Sequence, residues 1–251
     1  MRRSGTGTSS VRARRWRRTP LSDWTLIVEP VGRSGAENMA ADEALLDRVV
    51  RSGGAFLRLY RWDPPTLSIG RNQPSAAAGV PTVRRPTGGK AVWHEHEVTY
   101  AVAAPIGLFG SLRNAYCEIH TRLATALRSL GVDASLAPNR PTVRPRPSGS
   151  PLGSDGPTSC FAMPVGGEIV VHGRKLVGSA QVRKRDAFLQ HGSILLEGTQ
   201  PGGGAETTLA RALGRSVFFD EVAAAIIAAW ADPRSDSPTV RPSDIASLAP
   251  R

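Results

Sequence analysis

The stretch from Gly166 to Glu197, GGEIVVHGRKLVGSAQVRKRDAFLQHGSILLE, constrains the fold more than any other part of this 251-residue chain. Its short apolar and alternating runs predict three successive strands, with a tight turn at His172-Gly173. A sheet needs a second layer to cover its apolar face. Helices predicted elsewhere in the chain can supply that layer.

Three other segments predict helices. Ser34-Gly35-Ala36-Glu37 is a capping box, and it opens a helix that Gly53 ends. The segment 111–130 carries an apolar stripe at helical spacing. The stripe consists of Leu112, Ala115, Ile119, Leu123, Ala126 and Leu130. The segment 219–231 predicts a last amphipathic helix.

Further strands are predicted by WTLIVEP, AFLRLYRW and TLSIGR, and RRPTGGKAVWHEHEVTYAV predicts a hairpin. Helices inserted in blocks between sheet strands are typical of the α+β class. We therefore expect a single α+β domain over residues 21–232, preceded by a disordered basic tail over 1–20 and followed by a C-terminal tail over 233–251. A Pro- and Ser-rich insert over 139–158 is expected to be disordered within the domain.

The net charge of +11 suggests a nucleic-acid partner, but its distribution argues against one. Residues 1–18 contribute seven arginines and no acid, and residues 140–158 contribute a further +2, which leaves +2 for the rest of the chain. The folded part is therefore predicted to be nearly neutral, with no nucleic-acid partner. The basic arm over 1–18 can be a solvated tail, an organelle presequence or a nucleic-acid arm.

The location of the protein follows from two further features. No run of roughly 18 apolar residues exists, so no membrane span is expected. Two cysteines are too few for a disulfide scaffold, which favours a reducing compartment. We expect a cytoplasmic protein.

The three lysines are informative because the other 29 basic residues are arginines. Lys90 follows Gly88-Gly89, where glycines permit either a tight turn or a close backbone approach to a ligand. Lys175 begins a predicted strand that carries Gly178, and Gly192 interrupts the strand opposite. This arrangement predicts a groove with a cation at its mouth, or else a solvated hairpin lysine.

The two cysteines differ in their settings. Cys117 lies about 160° from the apolar stripe of its helix, at 100° per residue, which predicts a surface thiol. Cys160 ends a loop directly before the strands that carry Lys175, a setting that favours a thiolate nucleophile. The histidines show no metal-ligand spacing with either cysteine, so we expect no metal.

Five segments occur in the order that resembles the biotin/lipoate protein ligase superfamily. They are NMAADEALL, PPTLSIGRNQ, RRPTGGKAVWHEHEVTYAV, CFAMPVGGEIVVHGRKLVGSAQ and LQHGSILLE. The resemblance implies a single catalytic domain in which a mixed sheet and flanking helices form a tunnel for a fatty acyl chain. It also implies the site residues. Cys160 and Lys175 are the implied catalytic pair. The implied substrate-binding residues are Arg84, Arg85, Gly88, Gly89, Lys90, His94, Gly178, Ala180 and Gly192.

Within the superfamily, the chain looks most like the octanoyltransferases. ATP-dependent lipoate ligases typically carry a third glycine where this chain has Lys90, and then His-Asp where it has His94-Glu95. They also usually need an accessory C-terminal domain, whereas about 50 residues follow the last motif here. The resemblance therefore implies transfer of an octanoyl group without ATP or another cofactor. His94-Glu95 departs from the family pattern, which leaves the role of that pair open.

The implied partners are acyl carrier protein as the octanoyl donor, and lipoyl domains or the glycine-cleavage H protein as acceptors. A predicted basic patch could meet acidic carrier domains or could be a solvated face. It consists of Arg174, Arg183, Lys184 and Arg185. Two other functions stay open: an ATP-dependent lipoate or octanoate ligase, and a non-enzymatic acyl-binding protein with a basic arm.

Overall fold

The computed structural model describes residues 24–74, 79–138, 167–201 and 204–231. The predicted tails and the whole of the predicted insert lie outside these residues, as does Cys160. The strands are β1 (Trp24–Arg33), β2 (Ala55–Trp62), β3 (Thr66–Ile69), β4 (Thr82–Arg84), β5 (Val92–His94), β6 (Glu97–Pro105), β7 (Ala134–Leu136), β8 (Ile169–Val171), β9 (Arg174–Lys175), β10 (Val177–Lys184) and β11 (Ala187–Leu195). The helices are α1 (Gly35–Ser52), α2 (Leu112–Ser129), α3 (Leu209–Leu213) and α4 (Phe219–Trp230).

A five-stranded mixed sheet, in the order β1-β2-β6-β11-β10, forms the centre of the fold. The β1–β2 pair is parallel and is joined through α1, whereas the other pairs are antiparallel. Alternate residues of β6 face opposite sides: Tyr100 and Val102 join the core under α2 and α4, and Ala101 and Ala103 join the core under α1. The predicted α+β class with a mixed sheet and flanking helices is confirmed.

The helix-capping signals predicted from the sequence are present in the structure. The Ser34 hydroxyl accepts the Glu37 amide at 3.4 Å, and the Glu37 carboxylate accepts the Ser34 amide at 3.0 Å. Gly53 ends α1 with φ +73°, a conformation that glycine adopts without a steric penalty. In α2 the stripe residues Ala115, Ile119, Leu123 and Ala126 are buried.

The C-terminal strand prediction needs a correction, because the predicted three strands are four. The strand is interrupted at Leu176. Strands β8 and β9 therefore pair with β7 in a small sheet, whereas β10 and β11 belong to the main sheet. Leu176 is the joint: its amide bonds the Ile169 carbonyl, and its carbonyl accepts the Leu195 amide. Lys175 and Gly178 therefore lie in different sheets.

The predicted hairpin around Gly88-Gly89 is also wrong. The strands on either side, β4 and β5, do not pair with each other, because β3 lies between them in a third sheet of order β4-β3-β5. The segment from Arg85 to Lys90, called the GGK loop below, crosses the end of β3 to connect them. A pairing between segments far apart in sequence replaced the local one that the turn residues suggested.

Within the described residues, none of the helices is both long and apolar enough to cross a membrane.

Candidate active site

A cleft lies on the α1 side of the main sheet, between that sheet, α1 and the β4-β3-β5 sheet. It holds about 340 Å³ of empty space, part of it open to solvent. Its apolar wall includes Met39, Tyr60, Trp62 and Val92; polar side chains come from Ser68, Arg85, His94, Thr99, His191 and Ser193; and Gly178, Ser179, Ala180 and Gly192 complete the lining.

The cleft brings together some of the predicted site residues. Arg85, His94, Gly178, Ala180 and Gly192 line it.

The other predicted site residues within the described chain lie outside this lining. They are Arg84, Gly88, Gly89, Lys90 and Lys175.

Arg85 holds the GGK loop in shape. Its buried guanidinium donates to the carbonyls of Gly88 at 2.9 Å and Lys90 at 2.6 Å, and to the carbonyl and hydroxyl of Ser68 at 3.1 and 3.0 Å. Gly89 has φ +92°, and its carbonyl packs so closely that a Cβ on Gly70 would lie 2.1 Å from it. The two predicted loop glycines thus belong to a tight loop whose carbonyls are bound by the guanidinium of Arg85.

Arg84 has a different position. Its guanidinium is exposed and donates to the carbonyls of Gly70, Arg71 and Gln73 at 3.0, 3.1 and 2.7 Å. These bonds fix the turn that follows β3. A direct contact between Arg84 and a substrate stays a prediction, and the same holds for the exposed side chain of Lys90.

His94 belongs to a buried hydrogen-bonded chain beneath the GGK loop. Its Nδ1 lies 2.7 Å from Glu97 Oε1, and its Nε2 lies 2.7 Å from Ser68 Oγ. The ring stacks on Trp62 with centroids 3.9 Å apart. The neighbouring Glu95 instead accepts the indole N–H of Trp93 at the surface. The carboxylate partner of His94 is therefore Glu97, three residues along, and not the adjacent Glu95.

His191 belongs to a second buried chain of the same kind. Its Nδ1 lies 2.8 Å from Asp42 Oδ2 on α1, and its Nε2 lies 2.7 Å from Thr87 Oγ1 in the GGK loop. Asp42 also accepts from Arg58 at 2.7 Å and from the Tyr60 hydroxyl at 2.9 Å. Burial, followed by the charge of Asp42, raises the pKa of Tyr60, so the phenol donates.

Sequence reasoning missed this second chain, although a signal was present. Asn38 and Asp42 lie four residues apart on the face of α1 that also carries Met39 and Leu46, and both polar side chains are buried. Polar residues on an apolar helix face need partners inside the protein. That spacing could have marked Asp42 as part of a buried network.

Lys175 is fully buried. Its ammonium donates to Glu168 Oε1 at 2.6 Å, and its backbone bonds Ala205 and Thr207. One residue, Leu176, separates it from β10, whose residues Gly178–Ala180 line the cleft. The alternative of a solvated hairpin lysine is therefore wrong, and a contact between Lys175 and an acyl group stays a prediction.

Contacts within the protein explain why position 192 is a glycine. Tyr100, Gly192 and Ser179 are direct neighbours across β6, β11 and β10. Because Gly192 lacks a side chain, the Tyr100 and Ser179 hydroxyls meet over it at 2.7 Å. A Cβ on Gly192 would lie 2.6 Å from Ser179 Oγ and 2.4 Å from the Gly178 carbonyl. Neither a bulge nor a ligand is needed to account for this glycine.

His120 on α2 extends the same polar cluster. Its Nε2 lies 2.8 Å from Ser179 Oγ, and its Nδ1 lies 2.6 Å from the Gly167 carbonyl. Burial lowers the pKa of His120 to about 4, the Gly167 bond opposes that effect, and the charge of Lys175 adds to it. The imidazole is therefore neutral near pH 7, with its proton on Nδ1 facing the carbonyl.

The predicted basic patch is divided. Arg174 lies on β9 and donates to the carbonyls of Glu206 and Gly204 at 3.1 and 2.8 Å. Arg183 and Lys184 lie at the far end of β10, where Lys184 forms an ion pair with Asp47. The four residues therefore do not form one surface.

The family follows from comparison of the whole sequence. The family model described as the lipoyl protein ligase A/B catalytic domain matches residues 34–216. The chain belongs to this family.

Octanoyltransferase LipM of Kyrpidia tusciae is 44% identical over 192 residues, which cover 70% of this chain and 67% of that protein. Octanoyltransferase LipM of Symbiobacterium thermophilum is 36% identical over 244 residues, covering 84% and 86%. Because these relatives are octanoyltransferases, the chain is a transferase of the family. It spans about two thirds of the length of the first relative.

Solved structures of the family share the fold. Lipoate-protein ligase A bound with ATP has a TM-score of 0.62 at 21% identity, over 88% of this chain and 91% of that one. Protein Ta0514 from T. acidophilum with bound lipoic acid also has a TM-score of 0.62, at 22% identity, over 90% and 92%.

Proposed function

We propose that this transferase moves an octanoyl group from acyl carrier protein to a lysine of a lipoyl domain or of the glycine-cleavage H protein. The observation that carries the proposal is the octanoyltransferase relatives at 36–44% identity, and the cleft with its apolar wall supports it. A cleft of this kind suits a linear acyl chain, because apolar surface is removed from water along its length. The reducing compartment that the two cysteines favour suggests the cytoplasm.

The proposed mechanism is a double displacement through Cys160. The Cys160 thiolate attacks the donor thioester, the bond to the carrier sulfur breaks, and the carrier leaves as a thiolate that takes up the proton Cys160 had released. The lysine amine of the acceptor then attacks the Cys160 thioester. A C–N bond forms, the C–S bond breaks, and the amine proton passes to the cysteine sulfur. Exchange of a thioester for an amide is downhill, so the reaction needs no ATP.

Lys175 is proposed to stabilise the negative charge that develops on the acyl oxygen in both steps. Its ammonium is buried and already fixed by Glu168 at 2.6 Å, so little reorganisation is needed when that charge appears.

The test is the mass of the enzyme after mixing with octanoyl-carrier protein alone. One octanoyl mass should be added, and neutral hydroxylamine should remove it, because a thioester is cleaved under those conditions. Cys160→Ser should lose both the adduct and the overall transfer. Cys117→Ser is the matched control, since Cys117 is an exposed thiol on α2, and this variant should keep both.

The same mixture separates the other functions. If the wild type forms no adduct but modifies a lipoyl domain once ATP is added, with release of AMP, the protein is an ATP-dependent ligase. If it binds octanoyl groups without transferring them under either condition, it is an acyl-binding protein.

A further inference from the structure

We propose that His191 is a positioning residue which, through Thr87, fixes the GGK loop over the cleft. The inference rests on the proposed function for its catalytic consequence, since that loop would close one side of the acyl site. His191 itself is held by Asp42, so the loop is tied to helix α1 and strand β11, which are far from it in sequence.

The hydrogen bonds at Asp42 have a definite direction. Asp42 accepts from Arg58, Tyr60 and His191, and an ionised carboxylate can only accept. The proton on Nδ1 of His191 therefore faces Asp42, and Nε2 of the same ring bonds the Thr87 hydroxyl at 2.7 Å. Thr87 and Asp42 are completely buried, so water does not compete for these bonds.

The loop needs such a tie because of its own composition. It contains two adjacent glycines, whose backbone has more conformational freedom than that of any other residue. On one side Arg85 binds the Gly88 and Lys90 carbonyls and connects them to Ser68 on β3. On the other side the Thr87 side chain bonds His191 in the main sheet. Loss of the Thr87 contact would leave the Arg85 bonds to β3 in place but free the loop to shift against the cleft.

A shift of the loop would change the reaction more than it changes the fold. Reacting groups must be held close to their productive geometry, and a displacement of about 1 Å can cost roughly a hundredfold in rate. Loss of the Thr87–His191 bond should therefore lower the rate of transfer, although His191 takes no part in the chemistry itself.

The test uses two substitutions that break the same bond from opposite ends. Thr87→Val removes the hydroxyl and keeps the shape, and His191→Asn keeps a donor toward Asp42 but cannot reach Thr87. Each should lower kcat/KM for the octanoyl donor by about tenfold, the fold-change for loss of one buried hydrogen bond. The double variant should be no worse than either single variant, and Thr87→Ser should stay within about twofold of the wild type.

Thr66→Val is the matched control. Thr66 is a buried threonine on β3 whose hydroxyl donates to the Pro64 carbonyl at 2.8 Å. This bond belongs neither to the His94 nor to the His191 hydrogen-bonded chain. The variant loses a hydrogen bond of the same kind and should keep its kcat/KM. If Thr87→Val loses no more activity than Thr66→Val, or if the Thr87 and His191 effects add, His191 does not position the loop.

Amide hydrogen exchange gives a second readout that does not depend on activity. The Arg71 amide donates to the Thr87 carbonyl at 2.8 Å, so it reports on the loop directly. It should exchange about tenfold faster in Thr87→Val and His191→Asn than in the wild type or Thr66→Val. Unchanged exchange would overturn the inference. A wild type without transfer activity would overturn the proposed function, while the exchange rates would still decide the role of His191.

Discussion

The three lysines have three different environments, although each follows glycine or arginine in the sequence. Lys90 is exposed at the end of the GGK loop, Lys184 is half-exposed in an ion pair with Asp47, and Lys175 is buried against Glu168. A buried ammonium with a fixed carboxylate partner is a strongly specified site. Its replacement by another cation is therefore not conservative.

Lys175→Arg should reduce octanoyl transfer by at least about a hundredfold, even though the charge is kept. The planar guanidinium is larger than the ammonium and cannot occupy the same point beside Glu168. Transfer to a lipoyl domain is the measurement, on protein whose native fold has been verified by circular dichroism. Lys184→Arg, at a half-exposed ion pair, is the control and should be silent. Equal effects of the two substitutions would remove Lys175 from the mechanism.

At the scale of elements, the register of β6, β11 and β10 explains one glycine in terms of its two neighbours. Tyr100 and Ser179 flank Gly192 on the same face of the sheet, and their hydroxyls fill the space above it. A side chain at this position would have to displace a backbone carbonyl as well as a hydroxyl. Overpacking of this kind costs about 1–3 kcal/mol.

Gly192→Ala should therefore lower the free energy of unfolding by about 1–3 kcal/mol, measured by urea denaturation. The added methyl group would lie 2.4 Å from the Gly178 carbonyl. Gly107→Ala is the matched control, because a Cβ there meets no atom within 4 Å. If the two variants unfold at the same urea concentration, the strands separate without cost and the tight packing is not a constraint.

Local signals predicted the elements well, and pairing between distant elements was the part that could not be predicted. The capping box at Ser34 and the stripe through Ile119 depend on residues three or four apart, so the sequence displays them. The insertion of β3 between β4 and β5 depends on which distant strands meet. The break at Leu176 has the same origin, since it depends on where two sheets separate.

The candidate site shows the same division. The family motifs pointed to Arg85, His94 and Gly178, which the cleft brings together. Ser68, which bonds both Arg85 and His94, comes from a strand 26 residues before His94. Glu97 lies only three residues after His94, but the sequence does not distinguish it from the neighbouring Glu95. A histidine can be recognised in a motif, but the carboxylate that orients it is determined by the fold.

At the scale of the whole molecule, one buried histidine couples stability to pH. The pKa of His120 is lowered from 6.5 to about 4, chiefly by burial. Between these two values the unfolded chain binds a proton that the folded protein does not. Stability is therefore lost as the pH falls through this window, by at most about 1.4 kcal/mol per pH unit from this group.

His120→Gln should flatten that dependence between pH 6.5 and about 4 by about one bound proton, because the variant has no imidazole to titrate. The measurement is the free energy of unfolding as a function of pH. A slope equal to that of the wild type would show that the His120 imidazole is not held neutral in the folded protein.

The aromatic contacts at the two ends of the described chain have a topological consequence. Trp24, at the start of β1, packs edge-on against Trp230, at the end of α4, with ring centroids 6.2 Å apart, and against Phe109 at 6.3 Å. The described chain thus returns to the point where it starts. A few residues joining 231 to 24 would turn it into a ring, and a ring can be opened at an exposed turn such as Arg185-Asp186 with the strand order unchanged. The architecture is a property of the circle of elements and not of the place where the chain begins.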